Sequence, residues 1–481
     1  MDRTILTESE FPDVDRKQWL EFVARSLGKD TDYNSLSHRS DDGIGIEPLY
    51  ERAAGASPLP RLEPGASWTL VQRMDDPDPA RAAAQAKEDL AQGATGLSLI
   101  FAGAPNAFGY GLPASPDGLR AALADVLLRN VHLRIDVHPN SRASIDWLVQ
   151  VLRDKRADPA RLSLSFGIDP ASLFAGTGRL RMSIEALEAS MPQSLAGFFA
   201  LALPGILLEA DGRVFHNAGA TEAQELGIML ASAVSHLRMF EEARQPLVYA
   251  APHIGFALSV DQDQFLSMAK IRALRKLWAR MLEACAIDPM PVAIHAETSY
   301  RMMTARDPET NILRTTIAAF AAATGGADSI SVVPHTITHG LPDAFARRLA
   351  RNTQLILEKE CQLDFVADPA AGSGGIEAMT AGLCEKAWEE FRRIEAEGGV
   401  LRSLAAGHIQ KRVAAARMER LGKVREGEHK IIGTTVYTMD RERPVATLAA
   451  ERQPMPRDGA VACDPLPASR LDEGLGEPDD S

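Results

Sequence analysis

Four histidines follow apolar segments, at places where an imidazole could give or take a proton: His138, His216, His295 and His335. His216 stands in RVFHNAGATEAQELG (213–227), where a strand end, a glycine turn and a helix start follow one another. Barrel enzymes place catalytic residues at such positions. A lone histidine is more often a hydrogen-bonded structural residue, so His216 is only a weak catalytic candidate.

Two other patterns bear on cofactor and metal chemistry. DPAAGSGG (368–375) resembles a phosphate-binding glycine loop, but it lacks G-x-x-x-x-G-K-[ST] and is better interpreted as a connection between helices. The cysteines show no C-x-x-C spacing and so predict neither a zinc site nor a disulfide framework: Cys285, Cys361, Cys384 and Cys463. We expect no metal site and buried thiols in a reducing compartment.

The elements that must position such residues are eight short β-rich segments, which alternate with amphipathic helix patterns. The predicted strands are 68–74, 95–101, 132–138, 162–168, 205–210, 255–260, 290–297 and 329–335. Eight strand-helix units in one run indicate a closed parallel barrel rather than an open sheet. The predicted fold class is therefore α/β, a (β/α)8 barrel of the TIM type whose ligands would meet the C-terminal ends of the strands.

The barrel is expected over residues 67–350, between flanking segments of different character. Residues 1–66 predict an N-terminal arm with a helix around 15–27, followed by Pro- and Gly-punctuated chain that suits contact with a partner. Helix patterns continue through a C-terminal helical extension over 351–454. The tail, 455–481, is rich in Pro, Gly and Asp, and we expect it to be disordered.

Composition restricts the class of partner. The chain has 481 residues, 45% of them hydrophobic, and a formal net charge of −13, so it folds, and no basic cluster suits a nucleic acid. The start MDRTILTESE lacks the pattern of an export signal. The longest apolar run, 195–208, is interrupted by Pro204 and Gly205 and is too short for a membrane span. We expect a cytoplasmic protein that does not enter a membrane.

Longer stretches carry a family resemblance over about residues 40–420. They are DGIGIEPLY (42–50), FHNAGATEAQELG (215–227), MAKIRALRKLWARML (268–282), IHAETSYRMMTARDPETNILRTTIAAFAAATGGADSI (294–330) and RLARNTQLILEKE (348–360) followed by DPAAGSGG. In order and spacing they resemble the barrel of methylmalonyl-CoA mutases. The resemblance implies adenosylcobalamin radical chemistry on acyl-CoA carbon skeletons, in which the protein positions and shields while the cofactor supplies the reactive species.

Departures from the family pattern fall on its substrate site. Catalytic members carry R-G-P-x-x-T-M-Y before the first strand, where this chain reads LPRLEPGASWTL (59–70) and lacks that Tyr and the preceding Arg. Q-N-D-I-L-K-E is replaced by FGIDPASLFAG (166–176). Y-H-M-Q-E-A-G-A becomes F-H-N-A-G-A, which is two residues shorter and weakens the carry-over of a general-acid role to His216.

One family motif is partly kept. Of T-H-C-Q-T-S-G, this chain retains His295, Thr298 and Ser299, while Glu297 replaces the Gln and Tyr300 the Gly. The resemblance therefore implies that four residues face substrate or cofactor: His295, Glu297, Thr298 and Ser299.

Cobalamin binding in this family needs a C-terminal flavodoxin-like domain with D-x-H-x-x-G, and no such pattern follows Arg420. The kept scaffold and altered site most resemble the small (beta) subunit of heterodimeric methylmalonyl-CoA mutase. This resemblance implies that the chain forms a heterodimer with a catalytic large subunit. It would stabilise that subunit through its N-terminal arm and barrel helices. Adenosylcobalamin would then be bound by the partner and not by this chain alone.

Two alternatives remain open from the sequence. An active split mutase would bind acyl-CoA in this barrel and receive cobalamin from a separate protein, but known designs of that kind keep the substrate Tyr and Arg. A regulatory barrel would have left mutase chemistry altogether. Binding of an acyl-CoA by this chain alone separates the split enzyme from the supporting subunit.

Overall fold

A computed structural model describes residues 15–27, 33–158, 161–201, 203–473 and 475. Its centre is a closed parallel barrel in which strands consecutive around the barrel follow one another along the chain. The eight strands are β1 Thr69–Met74, β2 Gly96–Leu99, β3 His132–Ile135, β4 Ser163–Ile168, β5 Ile206–Asp211, β6 Ile254–Val260, β7 Ile294–Thr298 and β8 Ser329–Ser331. β8 closes the barrel by pairing Ser329 with Thr69 of β1. The predicted (β/α)8 fold is confirmed.

Helices surround the barrel and extend beyond it. They are α1 Arg16–Leu27, α2 Pro79–Ala91, α3 Pro116–Ala122, α4 Ser141–Asp154, α5 Pro170–Thr177, α6 Ile184–Ala200, α7 Arg213–Ala218, α8 Glu222–Glu242, α9 Leu247–Ala250, α10 Gln264–Ala284, α11 Thr310–Gly325, α12 Ala344–Leu355, α13 Gly374–Ala396, α14 Val400–Ala405 and α15 His408–Arg425. α8 begins with a capping box, in which the Thr221 side chain and Gln224 satisfy each other's backbone N–H groups.

The main core lies between the strands and the helices around them. β6 is buried at every position, as expected for a parallel strand with packing on both faces. On its outer side, Phe256 meets Trp278 of α10 edge-on, with ring centroids 5.3 Å apart. α13 packs on both α8 and α10, so the C-terminal extension covers one flank of the barrel. Among the described residues, no helix has the length and apolar character to cross a bilayer.

The described part of the arm beyond residue 32 lies on this chain's own C-terminal extension. Ile44 packs so tightly on α13 that a Cβ added at Gly382 would stand 2.8 Å from its Cγ2 atom. Asp41 accepts from Arg420 at 2.7 Å and from Lys423 at 2.8 Å, both on α15. α1 differs, because it has no buried residue. Residues 1–14 and 28–32 lie outside the described residues.

The prediction of disorder is wrong for the described part of the tail, 455–473. Val461–Ala462 pairs with Arg179–Leu180 as a short antiparallel ladder. Leu466 is buried, and the N–H of Ser469 donates to the carbonyl of Asn217 at 2.9 Å. The composition of the tail predicted disorder, but the tail is ordered by backbone hydrogen bonds to barrel loops. Those bonds cannot be recognised from the sequence of the tail alone. Residues 474 and 476–481 lie outside the described residues.

Candidate functional site

The inner wall of the barrel carries paired charges. The guanidinium of Arg213 lies 2.7 Å from Asp211, 3.1 Å from Asp136 and 3.3 Å from Glu297. Arg73 of β1 reaches the second oxygen of Glu297 at 2.7 Å. None of these side chains is more than 2% exposed. We call the whole set the barrel network: Arg73, Arg134, Asp136, Glu209, Asp211, Arg213 and Glu297.

Neighbouring charges in the barrel network hold Arg213 and Asp136 in the ionised state. Burial alone would lower the pKa of Arg213, but the carboxylates of Asp136, Asp211 and Glu297 outweigh it and raise that pKa well above its usual value. Burial would raise the pKa of Asp136, but Arg213 and Arg134 hold it low. Each ion is thus compensated by protein partners, as buried charges must be. Paired charges of this kind fix the shape of the barrel interior and leave few polar groups free to bind a substrate.

Aromatic rings and the tail close the barrel mouth above this network. Phe108 stacks on Tyr300 with centroids 4.3 Å apart and planes at 13°. The guanidinium of Arg73 lies 5.1 Å from the Phe108 ring, so the stack sits directly on the network. Arg470 of the tail donates to the Tyr300 hydroxyl at 3.1 Å. We call Phe108, Tyr300 and Arg470 the lid.

His216 lies in a second buried cluster, beside the barrel. Its Nε2 is 2.9 Å from Ser299 Oγ, and its Nδ1 is 3.0 Å from Glu225 Oε2. Burial, followed by the charges of Arg301 and Lys270, lowers the pKa of His216 well below its usual value. The imidazole is therefore neutral, and protein partners use both of its nitrogens. This arrangement resembles a nucleophilic triad in distances, but all three side chains are completely buried.

The same cluster contains a set of groups with metal-ligand spacing. His216, Glu222 and Glu225 offer ligand atoms within 4.8 Å of one another, among the described residues. The ammonium of Lys270 already contacts both carboxylates, at 2.7 Å from Glu225. Arg301 adds a second cation, 3.0 Å from Glu222. Protein cations thus neutralise the carboxylates that a metal ion would need.

The structure does not assemble the predicted substrate-facing residues into one site. Glu297 belongs to the barrel network, and Ser299 bonds to His216. Thr298 Oγ1 accepts from the backbone N–H of Val333 at 2.8 Å and so ties the ends of β7 and β8 together. Their role toward a substrate or cofactor stays a prediction.

The placement of His295 at a C-terminal strand end is wrong. It is the second residue of β7 and lies opposite Ser329, the first residue of β8, whose hydroxyl is 2.8 Å from its Nδ1. It lines a cavity of about 490 Å³ at the N-terminal end of the barrel, together with His132 and Ser163. The error arose because the strand was predicted to begin at residue 290 and in fact begins at Ile294.

Sequence reasoning missed the residues that define the interior. Arg73, Arg134 and Glu209 interrupt otherwise apolar predicted strands, and Asp136 and Arg213 follow strands closely. Charges at alternate positions of a buried parallel strand indicate side chains that point into a barrel, where they need partners. That signal was present in HLRIDVH, with Arg134 and Asp136 at alternate positions, whereas nothing in the sequence indicated that Tyr300 would stack on Phe108.

Comparisons with known proteins agree on one family. The family model for methylmalonyl-CoA mutase matches residues 56–458. The methylmalonyl-CoA mutase small subunit of Streptomyces virginiae is 35% identical over 98% of this chain, which covers 76% of that protein. The small subunit of Propionibacterium freudenreichii subsp. shermanii is 30% identical over 92% of this chain, with 72% of that protein covered. The large subunit of Streptomyces virginiae is 25% identical over 92% of this chain, with 64% of that protein covered.

The closed eight-stranded barrel with surrounding helices makes this a (β/α)8-barrel protein, here with a charged and self-neutralised interior. With a family model matching most of its length and relatives of 30–35% identity, the chain belongs to the methylmalonyl-CoA mutase family. The family as a whole is cobalamin-dependent.

The described residues do not fit adenosylcobalamin. A corrin ring would have to reach the reacting end of the barrel, which the lid and the tail cover. The cavity that the barrel interior keeps, of about 490 Å³, lies at the opposite end. His138 stands in DVHPNS (136–141), which shares its Asp and His with D-x-H-x-x-G, but it is completely buried and cannot reach an external metal ion.

Proposed function

We propose that this chain is the small, non-catalytic subunit of a heterodimeric methylmalonyl-CoA mutase. It would support a large subunit that interconverts methylmalonyl-CoA and succinyl-CoA. The observation that carries the proposal is the barrel network, in which Arg213 and three carboxylates fill the interior that a substrate would need. The small-subunit names of relatives 35% and 30% identical to this chain support the same function.

A supporting role needs a barrel that keeps its shape without a ligand. The barrel network gives this chain such a barrel, because its ion pairs link β1, β3, β5 and β7 across the interior. Buried, paired charges favour one arrangement over others. The lid adds stacked aromatic area over the same region. We infer that the scaffold is rigid where a catalytic relative would be open to its substrate.

We infer that α1 contributes to the contact with the large subunit. Trp19, Leu20, Val23 and Leu27 form an apolar stripe at helical spacing that is only half-buried, with the Trp19 ring edge-on to Tyr33 at 5.9 Å between centroids. An amphipathic helix whose apolar face is only partly covered suits packing against a partner. The remainder of the described arm is already engaged with α13 and α15.

We assign adenosylcobalamin to the large subunit. The support is the lack of fit at the barrel mouth of this chain, where the lid lies above the barrel network. In this arrangement the residues of the small subunit hold structure, and the partner supplies substrate binding, cofactor and radical chemistry.

Co-expression with a full-length large subunit tests the heterodimer. We expect both chains to elute from size-exclusion chromatography as one complex at micromolar concentration. Val23→Asp should weaken that complex because it puts a charge on the apolar stripe of α1. Ala24→Asp, on the exposed face of the same helix, is the matched control and should leave the complex intact. Separate elution of the two wild-type chains would contradict the proposal, and equal behaviour of the two variants would remove α1 from the interface.

A further inference from the structure

A cavity of about 260 Å³ lies beside the barrel mouth, separate from the barrel network. The chain just after β3 and β4 contributes to its wall, as do α5, the start of α6 and the tail residues Pro456 and Asp458. Most of its surface is apolar, with side chains from six residues: Ile168, Leu173, Leu180, Met182, Leu187 and Met191. The cavity is thus a small apolar chamber that the ordered tail helps to enclose.

Three arginines line the same cavity without an acidic partner. Arg142 donates to the carbonyl and hydroxyl of Ser190 at 3.0 and 3.1 Å, and burial lowers its pKa. Arg179 donates to the carbonyl of Gly178 at 2.8 Å, and Arg181 donates to Asn140 Oδ1 at 2.9 Å. Among the described residues, no carboxylate forms an ion pair with any of the three. Arg142 also donates to the hydroxyl of Ser194, and Arg179 to the carbonyl of Arg457 at 3.2 Å. Each of the three side chains still has N–H groups that can donate to an anion.

His138 adds a polar group without a partner to the same wall. Its side chain is completely buried and lies against Phe101, with ring centroids 4.6 Å apart. Neither of its ring nitrogens has a hydrogen-bond partner among the described residues. Because both ring nitrogens are closed off from the cavity, His138 is part of the packed wall and offers no polar contact to a bound molecule.

We propose that this cavity binds a small aliphatic monocarboxylate, with its chain among the leucine and methionine side chains and its carboxylate on the arginines. The cavity volume of about 260 Å³ is sufficient for a short aliphatic chain such as that of hexanoate. A carboxylate can accept paired N–H bonds from a guanidinium, which a neutral or cationic head group of the same size cannot. The site lies outside the barrel interior and is independent of the proposed subunit role.

Isothermal titration of the full chain with hexanoate tests the site. We expect saturable binding at one site, about tenfold weaker binding of hexan-1-ol, and no binding of hexylammonium. Arg142→Gln and Arg181→Gln should each weaken hexanoate binding about fivefold or more. Arg129→Gln is the matched control, because Arg129 is exposed just before β3, at the other end of the barrel. Leu173→Trp should fill the chamber and abolish binding without changing the circular dichroism spectrum.

Hydrogen exchange locates the bound molecule. Hexanoate should slow amide exchange in the tail ladder at residues 460–463, which pairs next to the cavity. The proposal is overturned if hexanoate does not bind, if hexan-1-ol binds equally well, or if Arg142→Gln and Arg181→Gln both bind as Arg129→Gln does. Protection that appears only outside the tail and the cavity wall would also overturn it.

Discussion

The two ends of the barrel differ in how their polar groups are satisfied. At the C-terminal end, Arg213 and its carboxylates neutralise one another beneath the lid. At the N-terminal end, an open cavity of about 490 Å³ is lined by polar residues that include His132 and His295. Barrels of this class normally place their ligands at the C-terminal end. The interior of the barrel is therefore filled by paired charges at its C-terminal end and open as a cavity at its N-terminal end.

The largest expected effect comes from removing Arg213, the central cation at the C-terminal end of the barrel. Arg213→Met should lower the free energy of unfolding by about 4 kcal/mol, because Asp136, Asp211 and Glu297 would remain buried with too little positive charge. Urea denaturation measures the change. Arg280→Met is the matched control: it breaks an exposed pair with Glu283 and should cost less than about 1 kcal/mol.

A small effect of Arg213→Met would contradict the structural role of the barrel network. Equal losses for Arg213→Met and Arg280→Met would mean that water reaches the barrel interior and screens its charges. The closed C-terminal end would then be the wrong description.

Removing the lid should have the next largest effect. Tyr300→Ala should cost about 3 kcal/mol, because it deletes a nearly buried ring that stacks on Phe108 and loses the contact with Arg470. Thermal and urea unfolding measure this loss. Tyr249→Ala, at a 72% exposed tyrosine, is the control and should change stability by less than about 0.5 kcal/mol. If both substitutions were harmless, the lid would not be packed as described.

These two regions also show what the sequence could predict. The strands were readable because parallel strands buried on both faces are nearly continuous apolar runs, as in IGFALSV of β6. The order of the tail was not readable, since the hydrogen bonds of Val461–Ala462 are made to chain about 280 residues earlier. The position of His295 was missed through an error of four residues in one strand start, which moved a side chain from one end of the barrel to the other.

The N-terminal end should make the free energy of unfolding depend on pH. Burial, followed by the charges of Arg134 and Arg213, lowers the pKa of His295 well below its usual value, so the folded state keeps it neutral. As pH falls below about 6.5, the unfolded chain takes up a proton that the folded chain cannot, and stability is lost. Relative to His295→Gln, the wild type should lose about 2 kcal/mol more between pH 7 and pH 5.

Urea denaturation at several pH values measures that difference. His408→Gln, at an exposed histidine, is the control and should follow the wild-type profile. If His295→Gln has the same pH profile as the wild type, solvent in the N-terminal cavity reaches His295 and lets it take up a proton in the folded state. The N-terminal end would then be more open to solvent than the burial of this side chain indicates.

The smallest expected effect is at the junction of β7 and β8. Thr298→Val keeps the shape of the side chain but leaves the N–H of Val333 without its acceptor, which should cost about 1 kcal/mol. In Thr316→Val, the lost hydroxyl only donates to a helix carbonyl, so this control should cost less than about 0.5 kcal/mol. Equal costs at both positions would show that the Thr298 bond does not hold the strand ends together.

Calorimetric titration of this chain alone with methylmalonyl-CoA tests the central claim most directly, because the claim is that its barrel is closed to acyl-CoA. We expect no binding at micromolar concentrations by the free chain, and binding by the complex with the large subunit under the same conditions. Micromolar binding by this chain alone would contradict the account and would favour an active acyl-CoA-binding barrel of a split mutase.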